Sequence, residues 1–259
     1  MAKLLAIDIL NLVRRLYEAN SEPDTAEKME AVLHGAAAAV RRVLEVHQPT
    51  HVLCALDHGG PSWRHAIHPA YRETHASMPD PLRETLPRLH ALLAGLGVPV
   101  VSVEGAEADD MIATAVRRWL AEGRGEAVIA STDRKLHPLV AEGALVWDAF
   151  RNEWHDSAWV ERRYGVPPEM LADLLALVGN PAHGIPGIPK IGEKTAAKLL
   201  HAYRDLDGIM AGAGILLNPL GQRLRAGRDD AYLSRELLRL KSDVRLGITW
   251  NALRFPAAR

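Results

Sequence analysis

Four short apolar runs, each compatible with a β-strand, end in acid or are followed closely by it. This regularity constrains the fold more than any other feature of the chain. Residues 3–10 (KLLAIDIL) carry Asp8 near their end, and residues 51–57 (HVLCALD) end in Asp57. Residues 98–103 (VPVVSV) precede Glu107, Asp109 and Asp110, and residues 127–132 (AVIAST) precede Asp133. Helical patterns lie between them. From 29 to 46, Met29, Val32, Leu33, Ala36, Ala37, Val40, Val43 and Leu44 recur at spacings of three and four. Leu82, Leu86, Leu89, Leu93 and Leu96 share one side of a helix over 81–96, and 106–121 reads as another, with its acids in the first turn. This alternation predicts an α/β fold with a central, mainly parallel sheet and helices on both faces. Open sheets of this kind bind ligands beyond the carboxyl ends of their strands. The six acids are therefore expected to converge on one crevice.

A single acid at a strand end is most simply a loop or cap residue. Acids in the first turn of a helix also favour its dipole. Six at four corresponding ends call for more, because clustered carboxylates repel unless something positive sits among them. Hard oxygen ligands suit Mg²⁺ or Mn²⁺, as one or two ions. No His or Cys spacing indicates zinc. Acid-held divalent ions suit phosphoryl transfer, where they activate water and stabilise the leaving oxygen.

Beyond about residue 147 the pattern changes. Residues 152–154 read as a turn between short strands, and from 157 nearly everything reads as helix, notably 168–178, 192–203 and 228–240. A division near 155 follows: an α/β part over 1–155 and a helical part over 156–259. Residues 184–200 (GIPGIPKIGEKTAAKLL) place a Gly- and Pro-rich turn between two helices. Gly192 opens the second helix, so its free N–H groups can face a phosphate. Lys190, Lys194 and Lys198 add positive charge without reading sequence. An ordinary helical hairpin with a solvated lysine face is the plainer alternative.

Such a local basic surface is needed because the overall charge is balanced. The 259 residues carry 31 basic and 32 acidic side chains. The one cysteine, Cys54, excludes an intramolecular disulfide and reads as a core residue. No run approaches the ~20 apolar residues of a membrane span. The N-terminus shows no signal-peptide pattern, and no heptad or apolar stripe demands a dimer. The expectation is a cytoplasmic monomer without a membrane partner.

The segments AIDILNLVRR, ALDHGGPSWRH, PAYRET, GAEADDMIAT, ASTDRKL and GIPGIPKIGEKTAAKLL together resemble the 5′-nuclease family, which includes bacterial and phage flap endonucleases and the 5′-nuclease domain of bacterial DNA polymerase I. They run from Asp8 to about Tyr203, and EADD and the IPGI-x-x-IGEKTA stretch are the most specific. The stand-alone exonuclease IX branch is the nearest in pattern. The resemblance implies a PIN-like core with an arch or gateway over 59–96. It also implies a helix-three-turn-helix DNA-binding hairpin over about 168–203. It assigns Asp8, Asp57, Glu107, Asp109, Asp110 and Asp133 to metal. Arg64, Tyr71 and Arg72 become catalytic residues beside the scissile phosphate. Gly187, Lys190, Gly192, Lys194, Thr195 and Lys198 become DNA contacts. A potassium ion is implied on backbone carbonyls of Leu177, Val178, Pro186, Ile188 and Ile191. The implied substrate is branched DNA with a 5′ flap and a downstream duplex, cleaved hydrolytically with Mg²⁺.

The chain departs from the family pattern at three acids. Lys135 stands where a second acid usually follows Asp133, and Asn180 and His183 replace two acids of a G-D-x-x-D-N-I-P-G segment. Arg72 stands for the usual lysine of a Tyr-Lys motif; it keeps the charge but does not readily lose a proton. These losses fall on the second metal position, which Lys135 is able to fill in part with its ammonium group. A flap nuclease is the first reading. A branched-DNA-binding protein with silenced chemistry is the second, and a PIN-like ribonuclease the third.

Overall fold

A computed structural model describes residues 2–73 and 78–256. Its sheet runs β3-β2-β1-β4-β5-β6. The strands are β1 (Ala2–Asp8), β2 (His51–Ala55), β3 (Val100–Val101), β4 (Gly125–Ala130), β5 (Leu145–Asp148) and β6 (Glu153–His155). All neighbours pair in parallel except β5 and β6, an antiparallel pair joined by a turn over 149–152; the expected turn at 152–154 lies earlier, since Glu153 and Trp154 already pair with Asp148 and Trp147 in β6. Strand order reverses at β1, with β2 on one side and β4 on the other, so the crevice lies beyond the ends of β1 and β4.

Side chains alternate across the sheet. Leu4, Ala6, Leu53, Ala127 and Ile129 bury one face under α5 (Ala108–Ala121) through Met111, Ile112, Ala115, Val116 and Trp119. Leu5, Ile7, Val52, Cys54 and Val128 bury the other face. That face is covered by α1 (Ile9–Ala19), α2 (Ala26–His47) and, after the short α3 (Trp63–Ile67), α4 (Asp80–Gly95). Each fully buried aliphatic side chain contributes roughly 1.5–3 kcal/mol. A third cluster holds the helical part together: α6 (Ser157–Tyr164), α7 (Pro168–Val178), α8 (Glu193–Tyr203), α9 (Leu206–Gly212), α10 (Pro219–Ala226) and α11 (Arg228–Leu238).

Several boundaries differ from the sequence expectations, each for a local reason. The run 3–10 is not one strand: Asp8 accepts a hydrogen bond from Asn11 N at 3.1 Å and caps α1, so Ile9 and Leu10 are helical. The apolar pattern does not reveal α1 because its buried residues, Ile9, Leu10, Leu12 and Val13, crowd its start. The expected strand 98–103 shortens to Val100–Val101. Val98 N closes the end of α4 on Leu93 O, and Val103 O accepts from Ala106 N in a turn. Strand four stops at Ala130 because Ser131 and Thr132 hydrogen-bond to Asp8 and Asn11.

The expected arch also narrows. α4 packs Leu82, Leu89 and Leu93 into the sheet core, so 80–95 belongs to the layer over the sheet. Residues 74–77 of the expected arch, with the last residue of the PAYRET match, lie outside the described residues. Beyond α11 the chain returns to the sheet. β3 pairs only with Cys54 and Ala55, and the first half of β2 is met instead by residues 253–255. Val52 N donates to Leu253 O, and His51 forms an antiparallel bridge with Arg254. Leu240 and Leu253 join the core under α5.

Candidate active site and nucleic-acid interface

The strand ends deliver their acids as the topology requires. A cavity of about 240 Å³ beyond β1 and β4 is lined by Asp8, Asp57, Glu107, Asp109 and Asp133, with Arg72, Lys135 and His183 among them. Asp8 is held by Asn11 N and by Ser131 Oγ at 3.0 Å. Asp57 accepts from Ala108 N at 2.6 Å, which ties the end of β2 to the start of α5. Asp133 caps the 3-10 segment Arg134–Glu142 through Lys135 N. Glu107 is the N-cap residue of α5 rather than a member of its first turn.

The electrostatics divide the cavity. On one side Asp8 is buried and faces Asp133 and Asp57. Desolvation, with repulsion from those two, pushes its carboxyl up to about 7. Burial likewise raises Asp57, although Arg72 opposes it. On the other side, burial alone would raise Glu107 and Asp109, but both are held below the ordinary carboxylate range by Lys135, Arg64 and Arg72. Lys135 ion-pairs with Asp109, and its Nζ lies 3.6 Å from Glu107 and 3.9 Å from Asp133. Arg72 bridges Glu107 at 3.0 Å and Asp57 at 3.4 Å.

Four of the expected site residues stand elsewhere. Asp110 is fully buried. Its carboxylate takes Arg64 in a bidentate pair at 2.8 and 3.0 Å, together with Trp63 Nε1 and Lys241 N, so it has no oxygen facing the cavity. Arg64 is equally buried and also donates to Leu237 O and Arg239 O. It clamps α3, α5 and the end of α11 together and does not reach a phosphate in this arrangement. Tyr71 is 1% exposed and donates to Glu107 Oε2 at 3.1 Å, so it positions that acid from behind. Gly187 is buried, and its N–H donates to Ser234 Oγ.

The structure also adds residues. Asn11, Arg14, Arg15 and Glu18 line the cavity from α1, and Ser62 donates to Glu107 Oε1 at 2.6 Å. An N-cap reading of Asp8, with Asn11 three residues on, is the sequence signal that would have exposed α1. Of the two residues that replace family acids, His183 lines the cavity and Asn180 does not.

The hairpin between α7 and α8 is built by close backbone contact. Gly179 and Gly187 both have positive φ, at 71° and 60°. A Cβ on Gly187 would lie 2.5 Å from the Val178 carbonyl and Gly179 N, so only glycine fits. Ile188 N donates to Leu177 O and Ile191 N to Ile188 O, which draws Leu177, Val178, Pro186, Ile188 and Ile191 around one turn. Gly192 caps α8 and no side chain caps that end among the described residues. Lys190, Lys194 and Lys198 are exposed beside it, and Thr195 is half-buried. The turn is fastened to the cavity: Arg72 N donates to His183 O, and a side chain on Gly184 would meet Ala70 O at 2.4 Å.

An acid-lined crevice at the switch point of a parallel sheet, joined to a helical hairpin whose second helix opens on a glycine, defines a 5′-nuclease architecture. Residues 3–165 match the 5′-3′ exonuclease N-terminal resolvase-like domain, and residues 166–259 match the 5′-3′ exonuclease C-terminal SAM fold. The chain belongs to this 5′-3′ exonuclease family. Among its relatives is a Flap endonuclease Xni of Tolumonas auensis, 37% identical over 98% of each chain. Another is a Flap endonuclease Xni of Shewanella amazonensis, 38% identical over 98% of each. The fold is similar to that of a T5 5′-exonuclease solved with zinc, with a TM-score of 0.76 at 17% identity, covering 91% of this chain and 89% of that one. The catalytic core of Rad2 in complex with a DNA substrate matches at a TM-score of 0.57 and 13% identity, over 93% and 81%. Among the described residues no helix is long and apolar enough to cross a membrane.

Proposed function

We propose that this chain is a structure-specific nuclease that hydrolyses DNA phosphodiesters where a 5′ single strand meets a duplex. The convergence of Asp8, Asp57, Glu107, Asp109 and Asp133 on one cavity, fastened through Arg72 and His183 to the hairpin, carries this reading. The donors fit a hard divalent ion: all are carboxylate oxygens, gathered on one cavity beyond the strand ends. Asp8, Asp57, Asp109 and Asp133 would hold Mg²⁺ or Mn²⁺, which when bound supplies a water activated for attack and charge for the leaving oxygen.

The protein's own groups do the rest. Arg72, partly exposed at the cavity wall, braces the phosphate by charge and hydrogen bonds. Tyr71 and Ser62 fix Glu107. The open N–H groups of α8, with Lys190, Lys194 and Lys198, hold the downstream duplex by its backbone, and a potassium ion on the turn carbonyls would add to that grip. The protein acts as a monomer of two parts that meet near residue 155, in a cytoplasmic setting.

The test is cleavage of a labelled 5′-flap duplex in Mg²⁺ and K⁺, with Asp109→Ala alongside. Cleavage at the junction that the variant abolishes, with flap binding retained, is the expected result. A binding protein without turnover is the second reading. It is favoured by one observation: Lys135 and Arg72 already ion-pair with Asp109, Glu107 and Asp57 inside the cavity. Flap binding without cleavage in either Mg²⁺ or Mn²⁺ would establish it and defeat the first.

A further inference from the structure

We propose that Gly184 is a positioning residue: it lets the hairpin turn dock on residues 70–72 and hold Arg72 in the conformation that braces the phosphate. The part that grips the duplex thereby sets the group that meets the reacting phosphate. The inference deepens the nuclease reading above and rests on it for the role of Arg72.

The backbone of Arg72 is the first observation. Its φ is 58°, in the left-handed region. A side chain of this kind enters that region at a cost and stays there only where its surroundings over-determine it. The turn itself supplies part of the restraint, with Tyr71 N donating to His68 O and Glu73 N to Ala70 O. The Arg72 N–H donates outside the turn, to His183 O of the hairpin at 2.9 Å. Held in this way, the guanidinium reaches Glu107 at 3.0 Å and Asp57 at 3.4 Å. Gly184 makes the close approach possible. Its φ is 67°, and an added Cβ would lie 2.4 Å from Ala70 O and 3.1 Å from Arg72 N and Tyr71 Cα. All three atoms are backbone, so no side chain can turn aside to make room.

The docked loop is stiff and continuous with the start of α8. Asn180 N donates to Ile185 O at 2.8 Å and Ile185 N to Asn180 O at 3.1 Å, which closes 180–185 into a small loop. Its base is the contact of Gly179 with Gly187, and Ile188 N ties that base to Leu177 O ahead of α8. Arg134 Nη2 adds a bond to Gly179 O at 3.2 Å. A duplex that settles on α8 therefore steadies the loop, and through the loop the strained backbone of Arg72. Coupling of this kind is measured by whether changes at its two ends add.

The first experiment uses Gly184→Asn. Asparagine tolerates the left-handed region better than other side chains, so the loop keeps its conformation while a Cβ is set against Ala70 O. The variant is expected to cleave a bound 5′-flap duplex on the order of 100-fold more slowly in single turnovers. It is expected to keep wild-type flap affinity in EDTA, because α8 and its lysines are untouched. In an Arg72→Ala background the same substitution is expected to slow cleavage no further. An equal further loss in that background, or weakened affinity with an unaltered rate for bound flap, would overturn the proposal. The second experiment needs neither metal nor cleavage: amide hydrogen exchange of residues 68–73, read by mass spectrometry in EDTA with and without a plain duplex. The duplex is expected to slow exchange there on the order of tenfold in the wild type, and to leave it unchanged in Gly184→Asn. No slowing in the wild type, or equal slowing in the variant, would also overturn it. If the wild type cleaves no flap, the nuclease reading falls, and the exchange experiment alone decides whether the hairpin positions Arg72. If Gly184→Asn does not fold, exchange in the wild type decides the question.

Discussion

Arg64, which the family resemblance sets beside the scissile phosphate, is also a structural clamp. Its guanidinium lies wholly inside the protein, between Asp110 and the carbonyls that end α11. Removing one partner of such a pair leaves a buried charge uncompensated, which costs about 3–5 kcal/mol. Arg64→Ala is therefore expected to lower the urea midpoint sharply, while replacing the pair together, as Arg64→Met with Asp110→Leu, recovers part of the loss. A folded and stable Arg64→Ala that fails only in cleavage would return Arg64 to the reaction. His47 offers a second test at this scale. It is 3% exposed, packs edge-on against Trp147 and Trp154, and burial lowers it from 6.5 to about 4. Because the unfolded chain binds the proton more tightly, stability is fully present above pH 6.5 and is lost as pH falls towards 4. The contribution is on the order of 3 kcal/mol at most. His47→Leu should show a flatter dependence of Tm on pH across that window, and an unchanged slope would place the acid sensitivity elsewhere.

At the scale of the element, the hairpin depends on two glycines more than on its lysines. Gly179 and Gly187 let two backbone turns touch; Lys190 stands in the turn that follows, and Lys194 and Lys198 on α8. Gly187→Ala must relieve a 2.5 Å contact at a positive φ. It is expected to weaken flap binding about tenfold or more, from a few kcal/mol of backbone strain, while the sheet domain keeps its fold. Titration of a labelled flap by fluorescence anisotropy would check this, and wild-type affinity in the variant would show that the turn repacks. The elements themselves were unevenly legible. Helices such as α7, with its regular leucines, stand at their expected bounds. α1 was invisible because its buried residues crowd one end, and β3 shrank because turn hydrogen bonds claimed both of its flanks.

Over the whole molecule, the α/β part and the helical part are fastened at two places. The hairpin turn docks on residues 70–72 beside the cavity, and residues 240–255 return from the last helix to line the edge of β2. The returning segment buries Leu240 and Leu253, worth about 3–6 kcal/mol together, and covers an edge that would otherwise be free to pair with another chain. A chain truncated after Arg239 should therefore unfold at lower urea and self-associate on size exclusion. Retention of wild-type stability would show that this return is incidental.

The alternation of apolar strands and amphipathic helices was enough by itself to determine a mainly parallel sheet, and the placement of acids at strand ends was enough to predict where they would gather. These are one-dimensional signals, because strand direction and side-chain period follow from the order of residues along the chain. Which of the acids face the cavity was decided only in three dimensions. Asp109 and Asp110 are neighbours on one helical turn, yet one opens into the crevice and the other is consumed by Arg64. The difference arises from partners supplied by α3 and by the segment after α11, far away in sequence. Tertiary packing likewise buried Arg64 against Asp110 and Tyr71 against Glu107, and set Lys135 among the carboxylates. The charge a residue carries is written in the chain, but what neutralises it depends on contacts that only the folded structure makes.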